Sequence, residues 1–491
     1  MYSHLVPNVH VPPWLRLSKS VVRHFVFGLF IGVSLSVTTS SLNLYYQYRK
    51  RQRFEHEYHA EPRPIELRRD EILDGVTGLI GAQSMHIGNT PLVRINSLSD
   101  ALGVEILGKA EFLNPGGSVK DRVALRMIED AENQGLLYPN TGSRIFEGTV
   151  GSTGISIATI AKARGYDTTI IMPDDVAEEK VKALQALGAD VQRVRPASIV
   201  DKKQNMARQA AVNFGRTDLV ESIDEAHSTH LLATSSPSVV VTTTSKHVQV
   251  VDGATQADDL RDEDLVTKPR GFFADQFENR SNYDAHHDGT GPEIWRQING
   301  RIDAFVSGAG TGGTIAGIGC FLKSKKEDIK VVLADPEGSG VYNKVKFGVM
   351  YDRKEAEGTK RRHQVDTVVE GIGHKAHRGG YSGINRLTQN LELGLPIIDD
   401  AFRITDAEAV AMSRYLVHHD GLFLGSSSAC NLVACVKLVR ELGWKDKQTV
   451  VTILCDSGSR HYSKFWNDDY LHRANIPIDV NIIENLLTES V

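Results

Sequence analysis

Between about residues 78 and 466, short aliphatic and β-branched runs alternate with longer stretches in which apolar side chains recur every three or four positions. The runs Arg144–Glu147, Thr168–Met172, Ile302–Val306, Lys330–Ala334 and Thr449–Leu454 predict strands. The periodic stretches Val119–Gln134, Gly154–Arg164, Glu178–Leu187 and Asp406–His418 predict helices. Strands that alternate with helices predict an α/β fold with mainly parallel sheets. Loops that bind ligands are then expected at the carboxyl ends of the strands.

Three stretches leave this pattern. Phe25–Leu44 reads FVFGLFIGVSLSVTTSSLNL and carries no charge. At ~1.5 Å per residue it reaches roughly 30 Å as a helix, enough for a bilayer's hydrocarbon core. Tyr45 and Tyr46 end it, and Arg49, Lys50, Arg51 and Arg53 follow. That flank favours a retained membrane anchor over a cleaved signal peptide or a buried helix. A moderately apolar span with basic flanks suits a mitochondrial membrane; the outer membrane, with the rest of the chain facing the cytosol, is the expectation. Residues 1–24 precede the anchor, and 45–77 read as a charged linker. Residues 233–268 are rich in Ser, Thr, Val and Asp without a helical stripe, which predicts a surface insertion. Residues 467–491 form a C-terminal tail, and no internal repeat is present.

Composition changes this picture little. The 491 residues carry 56 Lys and Arg against 61 Asp and Glu, so no basic excess points to nucleic acid. Cys320, Cys430, Cys435 and Cys455 form no CxxC pair and lack metal-ligand spacing, so no metal is expected. They read as reduced thiols.

Four turns carry candidate chemistry. Asn114-Pro115-Gly116-Gly117-Ser118-Val119-Lys120-Asp121-Arg122 delivers a lysine at the start of a helix. Most lysines are solvated charges, but one held near a packed interior loses its proton readily and can form a Schiff base. Glu147-Gly148-Thr149-Val150-Gly151-Ser152-Thr153-Gly154 joins a strand to a helix, where free N–H groups and the hydroxyls of Thr149 and Thr153 suit a carboxylate. Ser307-Gly308-Ala309-Gly310-Thr311-Gly312-Gly313-Thr314 reads as a phosphate cradle. It also fits G-x-G-x-x-G, with Asp335 as a candidate ribose acid, so by itself it leaves dinucleotide and smaller phosphate open. Leu454-Cys455-Asp456-Ser457-Gly458 presents a neutral hydroxyl at a strand end.

In this order the four turns resemble the cysteine synthase and cystathionine β-synthase family, with the tryptophan-synthase-β-like fold of type II pyridoxal-phosphate (PLP) enzymes. Gly88-Asn89-Thr90-Pro91-Leu92, Ala274-Asp275-Gln276-Phe277, Thr290–Trp295, Glu370-Gly371-Ile372-Gly373 and Gly425-Ser426-Ser427-Ser428 add to the likeness. Within the family it looks most like membrane-anchored fungal homologues. The resemblance implies a catalytic region over 78–466 with a smaller subdomain at about 112–225. It implies Lys120 as the Schiff-base lysine and the acid/base at Cα. Gly310, Thr311, Gly312, Gly313 and Thr314 would hold the cofactor phosphate, Ser457 the ring nitrogen, and Ser152 the 3′-oxygen. Thr149, Thr153 and Gln276 would hold the substrate carboxylate. The implied reaction is β-replacement on O-acetylserine by sulfide, giving cysteine and acetate, in a homodimer. Where soluble members read Thr-Ser-Gly-Asn-Thr-Gly, this chain has Val150 for the serine and Ser152 for the asparagine, which implies slower turnover. No CBS-domain pair follows Phe465 and no N-terminal Cys/His haem motif is seen, which weighs against cystathionine β-synthase proper. Serine deamination, cysteine desulfurisation, homocysteine addition and a membrane-tethered binding protein stay open as alternatives.

Overall fold

Strands buried on both faces explain the near-continuous apolar runs of the sequence. Along Thr449–Leu454, Val450 and Leu454 enter one core cluster and Val451 and Ile453 the other. Ala304–Gly308 alternates in the same way, with Val306 on one side and Phe305 on the other. In this computed structural model the described residues are 87–149, 151–174, 176–194, 200–214, 241–242, 249–250, 269–350, 367–373, 391 and 394–488. All belong to one compact unit, Leu73–Val491. The expected anchor at 25–44, the linker, Val150 and most of the insertion lie outside them.

The strands in chain order are β1 (Leu92–Arg94), β2 (Glu105–Ala110), β3 (Arg144–Gly148), β4 (Asp167–Pro173), β5 (Asp190–Val194) and β6 (Val241–Thr242). They continue with β7 (Gln249–Val250), β8 (Gly271–Phe273), β9 (Ala304–Gly308), β10 (Lys330–Pro336), β11 (Asp400–Ile404) and β12 (Thr449–Leu454). A six-stranded sheet has the order β1-β2-β12-β9-β10-β11 and a four-stranded sheet the order β5-β4-β3-β8. Every pairing in them is parallel except β1 with β2. The four-stranded sheet takes its edge strand β8 from beyond residue 225, the expected end of the smaller subdomain. Within the insertion, β6 and β7 form a short antiparallel pair where an irregular segment was expected.

The helices are where the periodicity put them. Lys120–Asn133, Ser152–Ala163, Glu178–Ala186 and Asp406–Asp420 match the predicted spans within about two residues at each end. Asp406–Asp420 starts in a capping box, with the Thr405 hydroxyl accepting from the Glu408 N–H at 3.2 Å and the Glu408 carboxylate taking the Thr405 N–H at 2.8 Å. Among the described residues, no helix is long and apolar enough to cross a membrane.

The order of strands brings the chemistry together. β2, β12 and β9 are consecutive neighbours, all parallel, so the turns that follow them emerge on one edge. Those turns hold Lys120, Ser457 and the glycine cradle. The turn after β3, in the smaller sheet, holds Thr149 to Thr153.

Candidate active site

Lys120 is the first residue of its helix. Its turn is pinned to the strand beside it: Ser118 bridges Asp456, and the Val119 N–H donates to the Cys455 carbonyl at 3.0 Å. This fixes Lys120 next to the turn that carries Ser457. The neighbouring Asp121 carboxylate accepts from the Gly116 N–H and from the Ser156 hydroxyl. One buried acid thus ties the lysine turn to the helix Ser152–Ala163. Burial pushes the Asp121 carboxyl up to about 6, against the pull of those two hydrogen bonds. The Lys120 ammonium donates to Thr311 Oγ1 at 3.2 Å. Burial pushes this amine down to about 8, with Cys455 and Glu147 opposing. An amine in that range exchanges its proton near neutral pH.

The cradle follows β9 and opens the helix Gly313–Lys325. Gly312 has φ +89°, a left-handed conformation that favours glycine. A Cβ on Gly310 would collide with the carbonyl oxygen of Gly371. No side chain fits at Gly310 or Gly312, so an anion could come close to the backbone there. Thr311 Oγ1 also accepts from Asn282 Nδ2 at 2.7 Å, and that amide donates to the Gln276 carbonyl at 2.8 Å. Thr314 Oγ1 lies 3.2 Å from His286 Nε2, whose Nδ1 lies 3.0 Å from Thr290 Oγ1. Burial, then the charges of Lys120 and Arg122, hold His286 well below the usual histidine range, so it is neutral. Asn282 and His286 escaped the sequence reading because no glycine turn marks them. Their only signal was a position between two motifs.

Ser457 pairs with Leu424 in an isolated bridge, and its Oγ accepts from the Ser459 N–H at 3.3 Å. Asp456 beside it is paired with His461 at 3.1 Å. Thr149 Oγ1 accepts from the Gly151 N–H at 3.3 Å, and the Thr153 hydroxyl donates to Gln276 Oε1 at 2.6 Å. Gln276 Nε2 turns the other way, donating to Glu147 Oε1 at 3.0 Å. Thr153 and Gln276 are thus in direct contact. Ser152 starts its helix, and its carbonyl accepts from Ser156 Oγ at 3.0 Å.

These groups fit PLP. The cradle has the bare backbone a phosphate needs, an amine of lowered basicity reaches its threonine, and a neutral hydroxyl stands at the adjacent strand end.

Comparison with known proteins agrees. Residues 83–230 and 238–456 match the family described as pyridoxal-phosphate dependent enzyme. The chain is 49% identical over 409 residues to cysteine synthase 2 of Schizosaccharomyces pombe, covering 83% of this chain and 87% of the relative. It is 50% identical over 396 residues to cysteine synthase 2 of Emericella nidulans, covering 80% of each. Among solved structures it is similar to O-ureido-L-serine synthase, with a TM-score of 0.55 and 26% identity, covering 78% of this chain and 93% of that one.

Proposed function

The chain belongs to the pyridoxal-phosphate dependent enzyme family, and from that premise we propose that it is a cysteine synthase, converting O-acetylserine and sulfide to cysteine and acetate. The Cβ–O bond of the substrate breaks, acetate takes the electron pair, and the sulfur forms the new bond at Cβ. Bound PLP supplies a conjugated ring that stabilises negative charge at Cα. Lys120 would hold the cofactor and move the Cα proton; Gly310 through Thr314 would take its phosphate. Ser457 would meet the ring nitrogen with a neutral hydroxyl, which does not force its protonation and so restrains the ring as an electron sink. Thr149, Thr153 and Gln276 would take the substrate carboxylate.

The observation that supports this most directly is the 3.2 Å contact between the Lys120 amine and Thr311 of the cradle. The test is product analysis by mass spectrometry. Purified enzyme given O-acetylserine and sulfide should release cysteine and acetate. Pyruvate from serine, or cystathionine from homocysteine, at higher kcat/KM would transfer the assignment to another β-reaction. The family resemblance also implies a homodimer, which sedimentation of the purified chain checks.

Ser152 sets the expected rate. A serine hydroxyl reaches less far than the asparagine amide found in soluble relatives of this family. Loss of one neutral hydrogen bond is worth about 0.5–1.5 kcal/mol, or roughly one power of ten in rate. Val150→Ser combined with Ser152→Asn should therefore speed the first half-reaction with O-acetylserine about tenfold in stopped-flow absorbance. An unchanged or slower rate means that the loop is tuned to a different substrate.

The uncharged run Phe25–Leu44 supports a membrane anchor, in our reading in the mitochondrial outer membrane with the enzyme on the cytosolic side. Full-length protein should stay with membranes through carbonate extraction. A chain starting at Arg49 should be soluble and still bind PLP. Protease added to intact mitochondria should digest the catalytic part; its survival there rules out the cytosolic side.

A further inference from the structure

Glu147 ends the interior of β3 with its side chain fully buried, directly behind the residues assigned above to the substrate carboxylate. A carboxylate there is doubly unfavourable. It is cut off from water, and it stands behind a site meant to hold another negative charge.

Its hydrogen bonds have a direction. The Thr153 hydroxyl donates to Gln276 Oε1 at 2.6 Å. Gln276 Nε2 donates to Glu147 Oε1 at 3.0 Å and to the Gly148 carbonyl at 3.3 Å. Gln204 Nε2 donates to the same Glu147 oxygen at 2.9 Å and to the Gly148 carbonyl at 2.7 Å. Along this chain each hydrogen points from Thr153 toward Glu147. With its proton committed to Gln276, the Thr153 oxygen has only lone pairs to offer an incoming carboxylate.

The opposite sense needs one proton. A neutral Glu147 donates to Gln276 Oε1 once that amide has turned over. Gln276 Nε2 then donates to Thr153 Oγ1, and the Thr153 hydroxyl is released to donate to substrate. The Gly148 carbonyl loses one donor in the turn and keeps Gln204.

We propose that Glu147 is a positioning residue: a proton taken up by its carboxyl reverses the Gln276 amide and aims the Thr153 hydroxyl at the carboxylate of an amino-acid substrate. This rests on the assignment of Thr153 and Gln276 to that carboxylate. The reversal also removes a charge from behind the site, so substrate binding and proton uptake are one event.

The surroundings place the titration in a useful range. Burial pushes the Glu147 carboxyl up to about 8, with Asp275 adding to the rise and the donors Gln204 and Gln276 opposing it. The Glu147 charge in turn favours the Lys120 ammonium. Arg208 moderates Asp275, and from its helix Lys203 packs its backbone against Gly148. Ile170 of β4 is the strand partner of Glu147 and carries no charge.

The test compares L-serine with ethanolamine, which has the same amine but no carboxylate. Both are titrated into PLP-loaded enzyme between about pH 6.5 and 9.5, read by visible absorbance. Effects of amine ionisation are common to the two, so the ratio of their affinities isolates the carboxylate. In the native enzyme that ratio should fall about tenfold per pH unit above pH ~8. In Glu147→Gln it should be flat, because the new amide donates without a titrating proton. A flat ratio in the native enzyme, or an unchanged slope in Glu147→Gln, overturns the relay while leaving the amino-acid site standing. Should Glu147→Gln not fold, Thr153→Val serves instead, since it removes the hydroxyl that the relay aims and should abolish the slope; a surviving slope overturns the proposal. If neither L-serine nor O-acetylserine alters the spectrum at any pH, the amino-acid reading falls, and the relay falls with it.

Discussion

Lys120→Ala is expected to lose the visible absorption of lysine-bound PLP and to lower β-replacement by about 10⁴-fold or more. The effect is large because one side chain would both hold the cofactor covalently and handle the Cα proton. The cradle is untouched by the substitution, so the variant should still bind PLP reversibly, seen as quenching of tryptophan fluorescence. Borohydride reduction followed by digestion should leave no cofactor attached to the chain. A cofactor peptide recovered from Lys120→Ala would assign the Schiff base to another lysine.

Arg122→Met is expected to cost about 3–5 kcal/mol of stability, read as a shift in the urea midpoint. Arg122 donates to Glu111 at 2.7 and 2.8 Å and to Glu293 at 2.7 and 2.8 Å, so one guanidinium pairs with two carboxylates in the interior. Lys109, fully buried, reaches Glu293 at 2.9 Å and cannot answer for both. Burial works against the Glu293 carboxylate, yet Arg122 and Lys109 together draw it from 4.5 down to about 2. Its stabilising share is therefore complete above about pH 4.5 and is lost as pH falls toward 2. Glu111→Gln added to Arg122→Met should restore part of the loss, since one orphaned charge is then removed. A midpoint shift worth less than 1 kcal/mol would falsify the view that this network is held together by the arginine.

The sequence made the parallel strands legible because their apolar runs are nearly continuous, as at Val450–Leu454. β5 escaped notice: Asp190 and Gln192–Arg193 lie on an edge and break the run. The helix Ser426–Glu441 escaped for the opposite reason. Its residues from Ser426 to Val436 are all buried, so it shows no polar stripe to set the period. The site was legible where it depends on short turns, as at Lys120 and Gly310–Thr314. The role proposed for Glu147 was not, because its partners Gln204 and Gln276 are 57 and 129 positions away. The pairing of β3 with β8 brings Gln276 to Glu147, and the packing of the helix Val200–Asn213 on β3 brings Gln204. Asn282 and His286 were hidden in the same way, reaching the cradle from 29 and 28 positions upstream.

The helix Glu178–Ala186 packs on the four-stranded sheet, while Glu370 follows Val368 and Val369, which enter the core of the six-stranded one. Between them Lys180 forms a buried ion pair with Glu370, joined by Lys464 at 3.4 Å, and Glu179 accepts from the Ser463 N–H at 3.0 Å. Burial disfavours the Glu370 carboxylate, but Lys180, His461 and Lys464 outweigh it and bring it down to about 2. Gly151 lies against the Lys180 stem, with no space for a side chain between them. Separating the two sheets would therefore mean pulling a cation out of a low-dielectric socket. Replacing Lys180 with Met would leave the Glu370 carboxylate buried with only Lys464 and His461 near it, a loss felt in the seam between the sheets and not in the chemistry.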